Sequence, residues 1–265
     1  MKKFRTIEIS NPKFSPQGLE FITAKSENLK GRGDIIVSKS LTAQKDMPVI
    51  IFLHGVYGSA WSWPLSGGVH QTMRKLEKEK KIPGFISVFP SDGLWGDGSG
   101  YVPHDGYDFE KWIAEDIPEL VLQKVKGVTA YSNFFITGLS MGGFGAFKIG
   151  AKYHQRFTAF SGHSSITHLQ QMKLFTEEPL KHYLQKDKKE NDVFETIAAN
   201  KNFIRSFRFD CGTNDPLYKA NKKLHEQLCK AGIAHVFNEF PGGHEWTYWE
   251  KHVKDSILFF AKHLH

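Results

Sequence analysis

Only two cysteines, Cys211 and Cys229, occur among the 265 residues of the chain. Their neighbours form neither a C-x-x-C pair nor a Cys/His metal-binding pattern, so no disulfide framework, no metal centre and no structural zinc is expected. Long apolar runs are also missing: nothing approaches the ~20 residues of a membrane-spanning helix, and even Val49–Leu53 is closed by His54 and Gly55. No membrane partner is expected. The first residues are basic, yet Glu8, Asn11 and Lys13 interrupt any apolar signal-peptide core, which makes the cytoplasm the expected location. Internal repeats and composition shifts that would mark a domain boundary are absent too, so residues 1–265 read as one domain.

What is present is the composition of a globular chain. Hydrophobic residues make up 40% and charged residues 24%, which excludes the disordered class. A formal charge of +7, from 35 Lys and Arg against 28 Asp and Glu, would favour anionic partners at long range. The lysines, however, gather in mixed-sign runs such as Glu77–Lys81 and Gln185–Glu190, which read as solvated helix faces and loop tips. With no recognition motif beside them, no nucleic-acid partner is expected.

Short β-branched and aromatic runs alternate with longer amphipathic ones, the pattern of a mostly parallel sheet with helices on both faces. Strands are expected at Ile35–Val37, Val49–Leu53, Phe85–Phe89, Phe134–Thr137, Thr158–Phe160, Ser206–Phe209 and His235–Glu239. Arg5–Ile9 and Leu19–Ala24, separated by Asn11, Pro12, Pro16 and Gly18, suggest an antiparallel N-terminal edge. Helical spacing marks Gln71–Lys80, Phe109–Val125, Gly143–Tyr153, Leu217–Lys230 and Glu245–His263, with Pro118 set to kink or split the second. Two connections are too long for simple linkers. Ser91–Tyr107 is rich in glycine, and Gly162–Asn200 reads as an insertion over one end of the sheet.

The strongest chemical signal is Gly138-Leu139-Ser140-Met141-Gly142, which follows the strand Phe134–Thr137 and runs into a small-residue helix. A serine on a sharp strand-to-helix turn needs small residues two positions away on each side, and the turn lifts its hydroxyl above the sheet. Ser140 is therefore the candidate nucleophile. The N–H of Met141, at the helix N-terminus, is a candidate oxyanion donor. A serine nucleophile needs a base and an orienting acid, which in this architecture follow in the order acid, then histidine. Asp215 leaves the end of one later strand and His244, after Pro241-Gly242-Gly243, leaves the next. Asp215 followed by Pro216 also fits a helix N-cap, and Asp210 is the rival acid, although a position inside the strand disfavours it. Val56, in the turn Leu53-His54-Gly55-Val56 after another strand, is the second candidate oxyanion donor. His54 precedes that turn and is expected to hold the loop rather than act as the base.

Together His54-Gly55, Gly138 through Gly143, Asp210-x-Gly212-x-x-Asp215 and Gly243-His244-x-Trp246 resemble the esterase D-like branch of the α/β-hydrolase superfamily. This branch groups esterases with feruloyl and acetylxylan esterases, S-formylglutathione hydrolases and mycolyltransferases. The resemblance runs from about residue 20 to about residue 262. It implies an α/β-hydrolase fold and cofactor-free acyl chemistry, with Ser140, Asp215 and His244 matching the family's nucleophile, acid and base. One departure concerns S-formylglutathione hydrolases, which carry a cysteine after the oxyanion turn where this chain reads Val56-Tyr57-Gly58-Ser59-Ala60-Trp61.

The expected activity is thus hydrolysis of a small-molecule ester of a small acyl or aryl acid, for instance a carbohydrate ester, through an acyl-enzyme. The alternatives are an acyltransferase using the same triad and a non-catalytic binding protein on the same fold. Trp95 and Tyr101 in the first long loop, Phe175 in the insertion and Trp246 beside the base are the expected substrate contacts, since flat aromatic surfaces suit a sugar or aryl group.

Overall fold

The apolar runs become strands in the computed structural model, which describes residues 3–16, 18–42 and 44–264. They are β1 (Phe4–Ile9), β2 (Leu19–Ser26), β3 (Gly31–Ser38), β4 (Val49–Leu53), β5 (Ile86–Pro90), the two-residue pair β6 (Pro103–His104) and β7 (Tyr107–Asp108), β8 (Phe134–Leu139), β9 (Phe157–His163), β10 (Phe207–Gly212) and β11 (Val236–Phe240). Nine of them form one sheet in the order β1-β2-β3-β5-β4-β8-β9-β10-β11. The pairings β1–β2, β2–β3 and β3–β5 are antiparallel and the rest parallel, as the turn residues between the first two strands suggest.

Strand β4 shows why both faces are covered. All five of its side chains, Val-Ile-Ile-Phe-Leu, are buried, and alternation sends Val49, Ile51 and Leu53 to one apolar cluster and Ile50 and Phe52 to the other. Removing each such side chain from water is worth about 1.5–3 kcal/mol, so both clusters need helices over them. On one face lie α1 (Val69–Lys78) and α7 (Trp246–Ala261). On the other lie α3 (Ile117–Lys124), α4 (Met141–Lys152), α5 (Val193–Asn200) and α6 (Tyr218–Lys230). This is the α/β-hydrolase fold. The helix expected over Phe109–Val125 is split, as Pro118 requires: a single turn, α2 (Phe109–Lys111), then a π-helical turn Trp112–Asp116, then α3 with Pro118 in its first turn, where a missing N–H costs nothing.

The long insertion consists of 3₁₀ turns at Leu169–Leu174, Leu180–His182 and Lys188–Asn191 followed by α5. An ion cluster ties it to α4. Lys148 Nζ is 2.7 Å from Glu190 Oε2, and Lys152 Nζ is 2.8 Å from Glu110 and 2.9 Å from Glu190. Burial pulls the Lys148 ammonium below the usual lysine range while Glu110 and Glu190 oppose that pull.

A second polar network lies under α7. Asp210 in β10 is fully buried, 2.8 Å from Arg208 Nη1 and 3.0 Å from His163 Nδ1, and it accepts a 3.0 Å hydrogen bond from the Tyr248 hydroxyl. Arg208 also donates to Ser256 Oγ at 2.8 Å, which links β10 to α7. Burial alone would raise the Asp210 carboxyl, but the charges of His163 and Arg208 and the hydrogen bonds outweigh it and hold the group at about 2. A depressed carboxylate stabilises the fold above its ordinary range near pH 4, and this contribution disappears only as the pH falls toward 2.

Replacing Asp210 by Asn leaves Arg208 buried without its counter-charge. Urea unfolding of Asp210→Asn at pH 7 is expected to show a loss of about 3–5 kcal/mol. A loss below about 1 kcal/mol would show that the network does not anchor α7.

Candidate active site

Ser140 sits between β8 and α4 with φ 54° and ψ −118°, a conformation that costs a non-glycine residue about 1–3 kcal/mol. Two close approaches explain the flanking glycines. A Cβ on Gly138 would lie 2.1 Å from the Gly142 carbonyl oxygen, and one on Gly142 would lie 2.3 Å from that of Leu53. Hydrogen bonds hold the turn: Ser140 N–H donates to His163 O at 2.9 Å, and Ser140 O accepts from Ile166 N–H at 3.1 Å.

The turns after β10 and β11 bring Asp215 and His244 to this serine. His244 Nδ1 lies 2.8 Å from Asp215 Oδ2, and His244 Nε2 lies 2.9 Å from Ser140 Oγ. A carboxylate only accepts, so Nδ1 carries the proton and Nε2 faces the serine hydroxyl as acceptor. Asp215 Oδ1 accepts from Leu217 N–H at 2.8 Å. Helix α6 starts at Tyr218, so Asp215 forms a turn ahead of the helix and is not its N-cap. The His244 ring is gripped by a stacked Phe175, centroids 5.1 Å apart, and by the edge of Trp249 at 5.0 Å.

Asp210, the rival acid, is committed to the Arg208–His163–Tyr248 network. His54 is buried. Its Nδ1 donates to Gly55 O at 2.7 Å and its Nε2 accepts from Asp92 N–H at 3.1 Å, so it holds the turn after β4. Met141 opens α4, and its N–H therefore has no partner within the helix. Neither this N–H nor that of Val56 donates to another group among the described residues. The same turn is braced from outside: Tyr57 N–H donates to Asp97 O at 2.7 Å, and the Tyr57 hydroxyl donates to Phe175 O.

A cavity of about 340 Å³ opens over Ser140 and His244, lined by Val56, Tyr57, Trp61, Leu139, Phe175, Trp246 and Trp249 among others. Phe175 and Trp246 thus stand where substrate contacts are expected. Trp95 and Tyr101 do not. Tyr101 is fully buried beneath α4, where Gly145 leaves room for its ring, and its hydroxyl donates to His54 O at 3.1 Å. Trp95 packs against His104, His182 and Tyr183 and lines a separate, larger cleft of about 870 Å³ that contains none of Ser140, Asp215 and His244. The loop Ser91–Tyr107 therefore supports the Val56 turn from behind instead of walling the cavity. Trp61 and Trp249, which flank the two turns in sequence, line the cavity as well. Trp249 lies three residues after Trp246 in α7, which puts both on one helix face.

Comparison with known proteins agrees with this architecture. A model of the family described as Putative esterase matches residues 26–260. An acetyl esterase of Caldicellulosiruptor saccharolyticus is 23% identical over 239 residues, covering 82% of this chain and 85% of that protein. Among solved structures, a ferulic acid esterase superposes with a TM-score of 0.78 at 21% identity, over 98% of this chain and 100% of the other. An S-formylglutathione hydrolase from Agrobacterium tumefaciens gives 0.79 at 18% identity, over 99% and 100%. The fold and the turns at its strand ends define an α/β-hydrolase. The chain belongs to the putative esterase family.

The backbone approach at Gly142 is directly testable. Gly142→Ala must push the turn away from Leu53 and His54, and thermal or urea unfolding is expected to show a loss of about 1–3 kcal/mol. An unchanged stability would mean that the turn is free to move off β4.

Proposed function

We propose that this protein is a serine carboxylesterase that hydrolyses small esters through a covalent acyl-enzyme. The observation that carries the reading is the continuous relay from Asp215 through His244 to Ser140, with 2.8 and 2.9 Å contacts, on a strained serine at the floor of a cavity.

In this reading His244 Nε2 takes the Ser140 proton as Oγ attacks the ester carbonyl carbon. Asp215 keeps the proton on Nδ1 and stabilises the imidazolium that forms. The carbonyl oxygen, now an oxyanion, accepts from the Val56 and Met141 N–H groups, each donor being worth about 3–4 kcal/mol when well placed. Collapse expels the alcohol, which takes the proton from His244. Water then attacks the acyl-enzyme with His244 again as base, and the acid is released. The Phe175 stack keeps the imidazole in one orientation through both proton transfers.

The size and lining of the cavity support short acyl or aryl acid esters. A volume of about 340 Å³ is at the small end of ligand sites, and the aromatic rim of Tyr57, Trp61 and Trp246 suits a flat or sugar-like group. Membership of an esterase family and the likeness to an acetyl esterase and a ferulic acid esterase point the same way.

A panel of p-nitrophenyl, acetylated-sugar and feruloyl esters tests this. Ser140→Ala is expected to lose about a million-fold in turnover while unfolding like the wild type. Asp215→Asn is expected to lose about 10⁴-fold, far more than folded Asp210→Asn. Phe175→Ala is expected to shift preference across the panel by about 1–3 kcal/mol, whereas Trp95→Ala leaves it unchanged. A Ser140→Ala variant that keeps a tenth of wild-type turnover would overturn the proposal.

A further inference from the structure

Far from Ser140 in the use made of its residues, a second cluster of reactive side chains has no role in the chemistry above. His225 and Cys229 lie four residues apart on α6, which places both on one helix face. The third member, His235, comes from the segment entering β11. His225 Nδ1 is 2.7 Å from His235 Nε2, and Cys229 Sγ is 3.7 Å from His225 Nδ1. One ligand atom from each of the three lies within 4.8 Å of the others. Sequence inspection around the cysteines finds no metal pattern because the pattern is helical and needs a partner from the next element.

Three features make this more than a chance meeting of polar groups. First, His235 Nδ1 donates to Ile233 O at 2.8 Å, which leaves the Nε2 lone pair aimed into the cluster. A backbone carbonyl on the far nitrogen is the usual way a ligating imidazole is oriented. Second, both rings are fixed by aromatic stacking, His225 on Phe237 at 4.9 Å and His235 on Phe207 and Phe209 at 5.7 and 5.6 Å. Third, the spacing suits a thiophilic ion. Tetrahedral zinc separates a thiolate sulfur from an imidazole nitrogen by about 3.6 Å and two imidazole nitrogens by about 3.3 Å. The sulfur lies near the first distance from His225 Nδ1, at 3.7 Å, and within 4.8 Å of the His235 ligand atom. The two nitrogens must open by about 0.6 Å, a displacement that a slide of the His225 ring across the face of Phe237 would supply without breaking the stack.

We propose that His225, Cys229 and His235 form a binding site for a divalent thiophilic cation of the Zn²⁺ class, with solvent completing the coordination at the exposed Cys229 side. On binding, a metal–sulfur bond replaces the Cys229 S–H and that proton passes to solvent. The His225 proton moves from Nδ1 to Nε2, freeing Nδ1 for the metal, and His235 keeps its Nδ1 proton on Ile233. No oxidation takes place. The ion would clamp α6, whose preceding turn holds Asp215, to β11, whose following turn holds His244. The site itself does not depend on how Ser140 is read.

The test is titration of untagged, metal-stripped protein with Co²⁺, following the near-ultraviolet thiolate-to-metal charge-transfer band. Wild type is expected to bind one ion with this band and to release it to Zn²⁺. Zn²⁺ is also expected to raise the Tm of the wild type. Cys229→Ser, an exposed and nearly isosteric change, is expected to lose the band and the Zn²⁺-dependent Tm shift. His235→Gln is expected to weaken binding by more than the about 100-fold that changes beyond the direct ligands cost. A wild type without the band, or a band or Tm shift that survives Cys229→Ser, would overturn the proposal.

Discussion

The arrangement at Ser140 depends on one close approach of backbone to backbone. The turn after β8 presses against the end of β4 so tightly that a methyl group at Gly142 would overlap the Leu53 and His54 carbonyls, and one at Gly138 would overlap the turn itself. That contact has two consequences. It holds Ser140 at φ 54°, and it sets the first N–H of α4 beside the turn that carries Val56. Both faces of β4 are apolar, so side-chain alternation alone does not fix its register against β8. The paired Leu53 and Gly138, at the strand ends where the turn closes, supply that register.

Around this contact the chain places several histidines and carboxylates with unlike duties, and their partners separate them. His54 is bonded on both nitrogens to backbone and braces a loop. His163 pairs with Asp210 and with Ser256 deep under α7. His244 also joins a carboxylate to a serine hydroxyl, but of these three histidines it is the one that borders the cavity. The two aspartates diverge in the same way. Asp210 is committed to Arg208, His163 and Tyr248, which makes it a fold-stabilising anion, whereas one oxygen of Asp215 remains for His244.

Much of this was legible in the residues. The alternation of apolar runs gives the strand order's raw material, Pro118 gives the split helix, and Gly138-x-Ser140-x-Gly142 gives the turn because its glycines answer a steric demand. What stayed hidden is whatever depends on contacts between distant segments. Tyr101 reads as a substrate contact on a glycine-rich loop, yet a glycine in α4 opens a slot that buries it completely. Trp95 reads as a substrate platform, yet it joins a packed set of His104, His182 and Tyr183 in another cleft. Phe175 lies far from His244 in sequence, and only the course of the insertion stacks the two rings. His225 and Cys229 show a helical spacing, but His235 completes the cluster only because β11 runs beside α6.

The central claim is that Ser140, activated by His244, is a nucleophile toward acyl and acyl-like centres. It is tested most directly by treating the folded protein with an alkyl fluorophosphonate and determining the adduct by intact mass and peptide mapping. The proposal predicts one adduct per chain, on Ser140, and a greatly slowed reaction in His244→Ala, which removes the proposed base. A folded wild type that forms no adduct, or one that carries it on a residue other than Ser140, would contradict the account.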